Sequence, residues 1–250
     1  MSARRRAVSS ELKRVLIIPD THAPYNDMKA WGLVMRVAEA FEWDTCLILG
    51  DFFDFYAVSA HSKDPLRLGQ LEDELDQARP LIHALNRVPF KQRIFCMGNH
   101  EQRLDRYLMD HAPALWRTVY EKDLLGLGEG GWKVVRYRED TTLGRLHATH
   151  DVGSQGALAV LNAYQDNVVS GHDHQMTYVV RGNAKGVAHV SATFGWLGDI
   201  NRVDYMHKLK VRRNWVLGFG VGYLRPNGFI YLQPVPIVEY SAVVEGKLFT

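Results

Sequence analysis

The chain has 250 residues, and its 46% hydrophobic and 23% charged residues are ordinary for a globular protein with a packed core. The net charge of +2 is too small to indicate a polyanionic partner. No apolar run reaches the roughly 18 residues of a membrane span, and the two cysteines lie in separate apolar runs without C-x-x-C spacing. These properties argue against a membrane protein, a disulfide scaffold and a zinc-thiolate site, and they predict a cytoplasmic location.

Residues 1–14 are basic and predict a flexible arm, followed by a single domain over 15–250. The strand patterns RVLIIPD, CLILGD and RIFCMGNH alternate with amphipathic helix patterns over 27–41, over 68–87 and from 101 onward. This alternation of strands and helices predicts a parallel sheet with helical crossovers.

The second half of the chain is rich in short strand patterns separated by polar and glycine-containing turns. The patterns are WKVVRYR, LHATH, NVVSGHDH, MTYVV and VAHVSA, and two hairpins follow, GFGVGYL with FIYLQPV around RPNG and SAVV with KLFT around EG. An α/β half joined to a β-rich half predicts an α+β/α/β fold, in which two packed mixed β-sheets form a β-sandwich flanked by α-helices.

Polar side chains follow five of the predicted strands at the point where each strand ends. In chain order they are Asp20 and His22; Asp51 and Asp54; Asn99, His100 and Glu101; His150; and His172 and His174. Because α/β sheets bind ligands at the carboxyl ends of their strands, we expect these side chains to converge. The motifs D-x-H, G-D-x-x-D, G-N-H-E and G-H-x-H arise together by chance on the order of once in 10⁵ sequences of this composition.

The chemistry of this set indicates metal binding. Imidazole, carboxylate and amide groups without thiolates suit divalent ions such as Mn²⁺, Fe²⁺ or Zn²⁺. Seven of these side chains, namely four His, two Asp and one Asn, are the candidate ligands. Seven ligands are too many for one catalytic ion with open coordination positions, but they suit two ions that share a bridging carboxylate. We therefore predict two divalent metal ions (Mn, Fe, Zn or Ni, with Mn favoured in vitro) that share Asp51.

In this order the motifs resemble those of the calcineurin-like dinuclear metallophosphoesterases. The segments GDFFDFYAVSAHSKDP and GNHEQRLDRYL further resemble the branch carried by phages and prophages, which implies the host cytoplasm. The resemblance implies the same sandwich fold and the hydrolysis of phosphoesters by a hydroxide that two metals activate. It implies two ligand sets joined by Asp51, with Asp20, His22 and His174 on one ion and Asn99, His150 and His172 on the other.

The resemblance also implies roles for two side chains beside the ligands. His100 would face the substrate, where it would stabilise the phosphoryl transition state or protonate the leaving group. Asp54 would orient the imidazole of His100. The residue after Asp54 is Phe55, where serine/threonine protein phosphatases carry Arg, and this counts against a phosphoprotein substrate.

The loop histidine departs from the family pattern. The family usually has Gly after this histidine, whereas Asp151 follows His150 here. The departure leaves His147 open as the alternative ligand. We favour His150 because it lies at the strand end, where the turn begins.

Arg103 and His61 are candidates for substrate contact, although an ordinary surface position explains each of them as well. The guanidinium of Arg103 matches a phosphate group in a bidentate fork, and His61 follows the G-D-x-x-D motif closely. The aromatic residues over 52–56 and the two basic segments, MSARRRAVSSELKR and RVDYMHKLKVRR, favour a nucleotide or nucleic acid as substrate. The alternatives are a phosphatase for protein or small-molecule phosphoesters and a non-catalytic binding protein of the same fold, which would be expected to have lost Asp51 or His100.

Overall fold

Strands and helices alternate through the first half of the chain. The computed structural model describes residues 12–64, 69–153, 156–203 and 214–250. The elements of this half are β1 (Lys13–Ile18), α1 (Met28–Ala40), β2 (Thr45–Ile48), α2 (Leu71–Arg87), β3 (Gln92–Cys96), α3 (Gln102–His111), α4 (Glu121–Leu124) and β4 (Lys133–Val135), with 3-10 turns at Tyr56–Val58 and Pro113–Leu115. Strands β1 to β4 pair in parallel, which confirms the predicted parallel sheet.

The second half is dominated by strands. Its elements are β5 (Thr141–Leu143), β6 (Leu146–Ala148), α5 (Ala157–Tyr164), β7 (Val168–Val169), β8 (Met176–Gly182), β9 (Ala188–Phe194), β10 (Gly218–Leu224), β11 (Ile230–Pro236), β12 (Ala242–Val244) and β13 (Lys247–Phe249). Both predicted hairpins form, as β10 with β11 and as β12 with β13. The sequence patterns did not predict β5 or α5.

The larger strands form two mixed sheets. The first sheet has the strand order β11-β10-β1-β2-β3-β4, and the second has the order β5-β6-β7-β9-β8. In the first sheet β10 and β11 run antiparallel to their neighbours, and in the second β5 and β8 do so. The structure therefore confirms the predicted fold class of two packed mixed sheets with α-helices.

Strand β1 shows why the sheets pack as they do. Successive side chains of a strand point to opposite faces. Ile17 is buried in the cluster that also contains Phe194 of the second sheet, whereas Leu16 and Ile18 are buried in the cluster that contains the helices. Because both faces of β1 are covered, its sequence VLII is apolar throughout rather than alternating.

The structure describes only the last residues of the predicted arm over 1–14. Strand β1 begins at Lys13, so Lys13 and Arg14 of the predicted arm pair with β10. Residues 1–11 of that arm lie outside the described residues. No helix among the described residues is long and apolar enough to cross a membrane.

Candidate metal centre

The predicted ligands lie together where strands of both sheets end. Asp20 and His22 follow β1, Asp51 follows β2, Asn99 follows β3, His150 follows β6, and His172 and His174 follow β7. Asp20 and Asp51 are 0% and 1% exposed. A buried carboxylate costs several kcal/mol unless positive charge compensates it. The cluster therefore needs cations or protonated histidines.

Asp20, His22 and His174 form the first group, with one possible ligand atom from each within 4.8 Å of the others. His22 Nε2 lies 3.1 Å from His174 Nε2, and His174 Nε2 lies 3.2 Å from Asp20 Oδ2. A neutral imidazole has a proton on only one ring nitrogen, and the other nitrogen carries a lone pair. Two ring nitrogens and a carboxylate that face one another therefore fit a shared cation.

Asp51, His150 and His172 form the second group by the same distance limit of 4.8 Å. Asn99 Oδ1 lies 3.1 Å from His150 Nε2 and 2.9 Å from His172 Nδ1. The alternative ligand, His147, instead contacts Asp140 through Nδ1 at 2.5 Å. The structure thus brings His150, and not His147, against Asn99.

Asp51 lies between the two groups. Its Oδ2 is 3.3 Å from His150 Nε2, and its Oδ1 accepts the backbone N–H of His100 at 2.8 Å. Burial raises the pKa of Asp51, but nearby His100, His150 and His22 outweigh burial and hold the pKa well below its usual value. A carboxylate that interacts with His22 of one group and His150 of the other is suitably placed to bridge two ions, and this role stays a prediction.

The charge balance of the centre fits divalent cations. Burial lowers the pKa of His150, yet the carboxylates of Asp51 and Asp20 outweigh it and raise the pKa to about 10. Burial also raises the pKa of Asp20, but the hydrogen bond with His174 and the charges of His150 and His174 outweigh burial and lower it. Positive charge therefore stabilises the centre, and a metal ion supplies this charge when the histidines are neutral.

Four of the predicted ligands have left-handed backbone conformations. The φ angles are 54° for His22, 47° for Asp51, 74° for His172 and 57° for His174. This conformation costs roughly 1–2 kcal/mol for a residue with a side chain. Such strain concentrates at functional sites, where the surrounding structure enforces it.

The motif glycines allow the backbone to approach the ligands. A Cβ atom on Gly98 would lie 2.1 Å from Asp51 Oδ1, and one on Gly171 would lie 2.4 Å from Asp20 Oδ1. Both distances are far below van der Waals contact. Any side chain at either glycine would displace a carboxylate of the centre.

Residues 13–176 match the model of the family described as calcineurin-like phosphoesterase. The chain belongs to this family. The Gene 54 protein of Mycobacterium phage D29 is 24% identical over 257 residues, which cover 95% of this chain and 98% of that protein. Vacuolar Protein Sorting 29 (Vps29) from Cryptosporidium parvum shares the fold at 13% identity and a TM-score of 0.51, covering 95% of this chain and 94% of that one. A Vps29 single mutant from Entamoeba histolytica matches at 13% identity and a TM-score of 0.47, covering 94% and 95%.

In this calcineurin-like phosphoesterase, Asp54 contacts two histidines. His100 Nδ1 donates to the Asp54 carbonyl oxygen at 3.1 Å and lies 3.3 Å from Asp54 Oδ2. The same Oδ2 is 3.1 Å from His22 Nδ1. The sequence predicted that Asp54 orients His100, and the contact with the predicted ligand His22 was missed.

Arg103 completes a buried network with these residues. Its Nη1 donates to the carbonyl oxygen of Asp54 at 2.8 Å and to Oδ1 at 3.1 Å, and its Nη2 donates to His100 Nε2 at 2.9 Å. Burial lowers the pKa of His100, but the carboxylates of Asp51 and Asp54 outweigh burial and raise it. Arg103 thus reaches the edge of the centre, although a contact with substrate stays a prediction.

Glu101 holds two ligand-bearing loops together, a role that was not predicted from the sequence. Its carboxylate accepts the backbone N–H groups of Asp51, Phe53 and Gly98 at 2.9, 2.9 and 2.7 Å. The first two follow β2 and the third follows β3. The acidic residue of the G-N-H-E motif was the available signal.

His61 and the aromatic segment over 52–56 differ in exposure. His61 is exposed, and its backbone N–H donates to Ser59 Oγ at 3.2 Å. The aromatic residues are buried, with exposures of 0% for Phe52, 1% for Phe53, 1% for Phe55 and 8% for Tyr56. These four rings pack in the core and offer no open face to a nucleobase. Substrate contact by His61 stays a prediction.

Proposed function

We propose that the protein is a dinuclear metal-dependent phosphoesterase that hydrolyses phosphomonoester or phosphodiester bonds. The observation that carries this proposal is the convergence of six predicted ligands in two groups, with the seventh, Asn99, in contact with the second group, beside the buried His100. Membership of the calcineurin-like phosphoesterase family supports it. The likeness to Vps29 concerns the fold alone.

Each ligand group would hold one divalent ion, and Asp51 would contact both. The pair of ions, when bound, supplies the Lewis acid and the activated water that attack on a phosphoryl group requires. The imidazole-rich donor set favours Mn²⁺, Fe²⁺, Zn²⁺ or Ni²⁺ over Mg²⁺, which prefers oxygen ligands.

The residues beside the ligands position the substrate and move a proton. Asp54 fixes the His100 ring through Nδ1, which leaves Nε2 directed away from Asp54, 3.8 Å from Asp51 Oδ2. A proton on Nε2 would serve the leaving oxygen, since a raised pKa favours the protonated form. Protonation at Nε2 would also break its hydrogen bond with Arg103 and free that guanidinium edge for a phosphate oxygen.

The proposed substrate class is a nucleotide or nucleic acid. The basic segments of the sequence support it, whereas the buried rings over 52–56 no longer do. A phosphatase for protein or small-molecule phosphoesters is the alternative within the same chemistry. A non-catalytic protein of this fold is the other alternative, and the presence of both Asp51 and His100 counts against it.

The test is a comparison of two chromogenic substrates. Metal-stripped protein is resupplied with Mn²⁺ and assayed on bis-p-nitrophenyl phosphate and p-nitrophenyl phosphate. Asp51→Asn and His100→Ala are the site variants, and the exposed His111→Ala is the matched histidine control. We expect Mn²⁺-dependent turnover of at least one substrate, unchanged in the control. Loss of His100 should reduce turnover by about 10²–10⁴-fold, and Asp51→Asn should abolish it.

The outcomes separate the alternatives. If the diester is hydrolysed, DNA, RNA and cyclic nucleotides are the next substrates to assay. If only the monoester is hydrolysed, the next substrates are those with terminal phosphates. Activity that survives both chelation and Asp51→Asn would exclude the proposed mechanism. Two bound Mn²⁺ ions without turnover of either substrate, or of a nucleotide and oligonucleotide panel, would favour the non-catalytic alternative.

A further inference from the structure

His174 packs against two tryptophan rings. The Trp196 ring stacks on its imidazole, with centroids 4.9 Å apart and planes inclined by 14°. The Trp215 ring contacts the same imidazole edge-on at 4.4 Å and 73°. The two indoles also contact each other at 4.9 Å. The predicted metal ligand therefore has aromatic contacts on two sides.

Among the described residues, no group makes the hydrogen bond to the His174 ring that normally orients a metal-binding histidine. Such a histidine almost always donates its second ring N–H to a carboxylate or carbonyl. His22 Nδ1 lies 3.1 Å from Asp54 Oδ2, and His150 Nδ1 donates to the Leu49 carbonyl at 2.8 Å. His174 Nδ1 is buried and has no hydrogen-bond partner among the described residues.

Backbone hydrogen bonds fix the tryptophans relative to His174. Val216 N–H donates to the His174 carbonyl at 3.1 Å, and Trp196 N–H donates to the Val216 carbonyl at 3.0 Å. Gly218 N–H donates back to the Trp196 carbonyl at 3.1 Å. Because these bonds join the three segments, the indoles are held at a defined distance from the imidazole.

We infer that Trp196 and Trp215 are positioning residues that hold His174 in its metal-binding orientation in place of a hydrogen bond. Stacking restricts the tilt of the ring, and the edge contact restricts its rotation about χ2, so Nε2 stays directed at Asp20 and His22. The inference rests on the proposed function in one respect, namely that the first ligand group binds a metal ion.

The test compares variants of the half-buried Trp215 with variants of Trp116, which is also half-buried but contacts Asp105 rather than the centre. Metal-stripped full-length protein is titrated with Mn²⁺, and free Mn²⁺ is measured by electron paramagnetic resonance. We expect Trp215→Leu to weaken one of two Mn²⁺ sites by about 10-fold or more. Trp215→Phe should restore most of the affinity because it keeps an aromatic edge, and Trp116→Leu should bind as the wild type does.

A second measurement observes the tryptophans directly. Ni²⁺ quenches the fluorescence of an indole close to it, so filling the first group should quench Trp196 and Trp215. The double variant with Trp196→Phe and Trp215→Phe should keep Ni²⁺ binding and lose most of this quenching. Circular dichroism and thermal unfolding establish that each variant is folded.

The outcomes distinguish the inference from the proposed function. Wild-type Mn²⁺ affinity at both sites in folded Trp215→Leu would overturn the inference and leave the proposed function standing. Failure of Phe to rescue a defect of the Leu variant would also overturn it, as would wild-type Ni²⁺ quenching in the double variant. A wild-type protein that binds none of Mn²⁺, Fe²⁺, Zn²⁺ and Ni²⁺ would overturn both.

Discussion

Backbone strain at the ligands is a property of single residues that can be measured. His172 has a φ of 74°, whereas the φ of His150 is not positive. Glycine adopts a positive φ without cost, and every other residue pays a steric penalty there. The two histidines should therefore respond in opposite ways to replacement by glycine and by alanine.

We predict that metal-free His172→Gly is more stable than metal-free His172→Ala by about 1 kcal/mol. At His150 the order should reverse, with the alanine variant more stable by roughly 0.5–1 kcal/mol. Urea unfolding in the presence of a chelator measures both pairs. The same order at the two positions would show that His172 is not strained.

Glu101 acts through the backbone of residues that carry ligands. Glu101→Gln leaves one carbonyl oxygen in place of two carboxylate oxygens, so a buried N–H of Asp51, Phe53 or Gly98 loses its acceptor. We predict a loss of about 1–3 kcal/mol in the free energy of unfolding and a loss of about 10-fold or more in Mn²⁺ affinity. Chemical unfolding and Mn²⁺ titration measure the two effects.

Glu74 offers the matched control for Glu101. It is buried in α2 and accepts the backbone N–H groups of Tyr56 and Ala57 at 2.9 and 3.0 Å, but neither of these residues is a predicted ligand. Glu74→Gln should therefore lower stability in a similar way and leave Mn²⁺ affinity unchanged. If both variants lose metal equally, Glu101 acts through general stability rather than through the loops.

At the scale of elements, the sequence predicted those that have a long periodic pattern. The helix predicted over 27–41 is α1 and the helix predicted over 68–87 is α2, because a long amphipathic face is unambiguous. Helix α5 has only 8 residues and is apolar around most of its surface, so its periodicity is weak. Strand β5 has 3 residues, too few for an alternating pattern.

Helix α1 begins at a side-chain cap that was not predicted from the sequence. Asp27 Oδ1 accepts the backbone N–H groups of Lys29 and Ala30 at 2.9 and 3.1 Å, and Tyr240 donates to Oδ2 at 3.0 Å. We predict that Asp27→Ala lowers the free energy of unfolding by about 1 kcal/mol and Tm by about 2–4 °C. Asp27→Asn keeps a capping oxygen and should unfold close to the wild type. Equal Tm values for the two variants would contradict the role of the cap.

At the scale of the whole molecule, the candidate centre joins the two sheets. Asp20, Asp51 and Asn99 follow strands of the first sheet, whereas His150 and His172 follow strands of the second. The sequence predicted this convergence because strand ends can be recognised from apolar runs. The close approach of Gly98 to Asp51 and the tryptophan contacts could not be predicted, since they depend on distances between segments far apart in the chain. The left-handed ligands could not be predicted either, because a positive φ at a residue other than glycine leaves no clear pattern in the sequence.

Ions that link the two sheets should stabilise the entire fold. A ligand that binds only the folded state at a concentration of 100 times its Kd adds about 2.7 kcal/mol per site to the free energy of unfolding. We predict that Mn²⁺ at this level raises Tm by several degrees and that EDTA reverses the shift, as scanning calorimetry can measure.

Mg²⁺ at the same concentration should have a smaller effect, because the histidine-rich centre offers few of the oxygen ligands that Mg²⁺ requires. Asp51→Asn should lose most of the Mn²⁺ shift, whereas Asp27→Asn should retain it. An equal Mn²⁺ shift in both variants would place the stabilising ions outside the centre, and no shift in the wild type would mean that Mn²⁺ does not bind the folded protein.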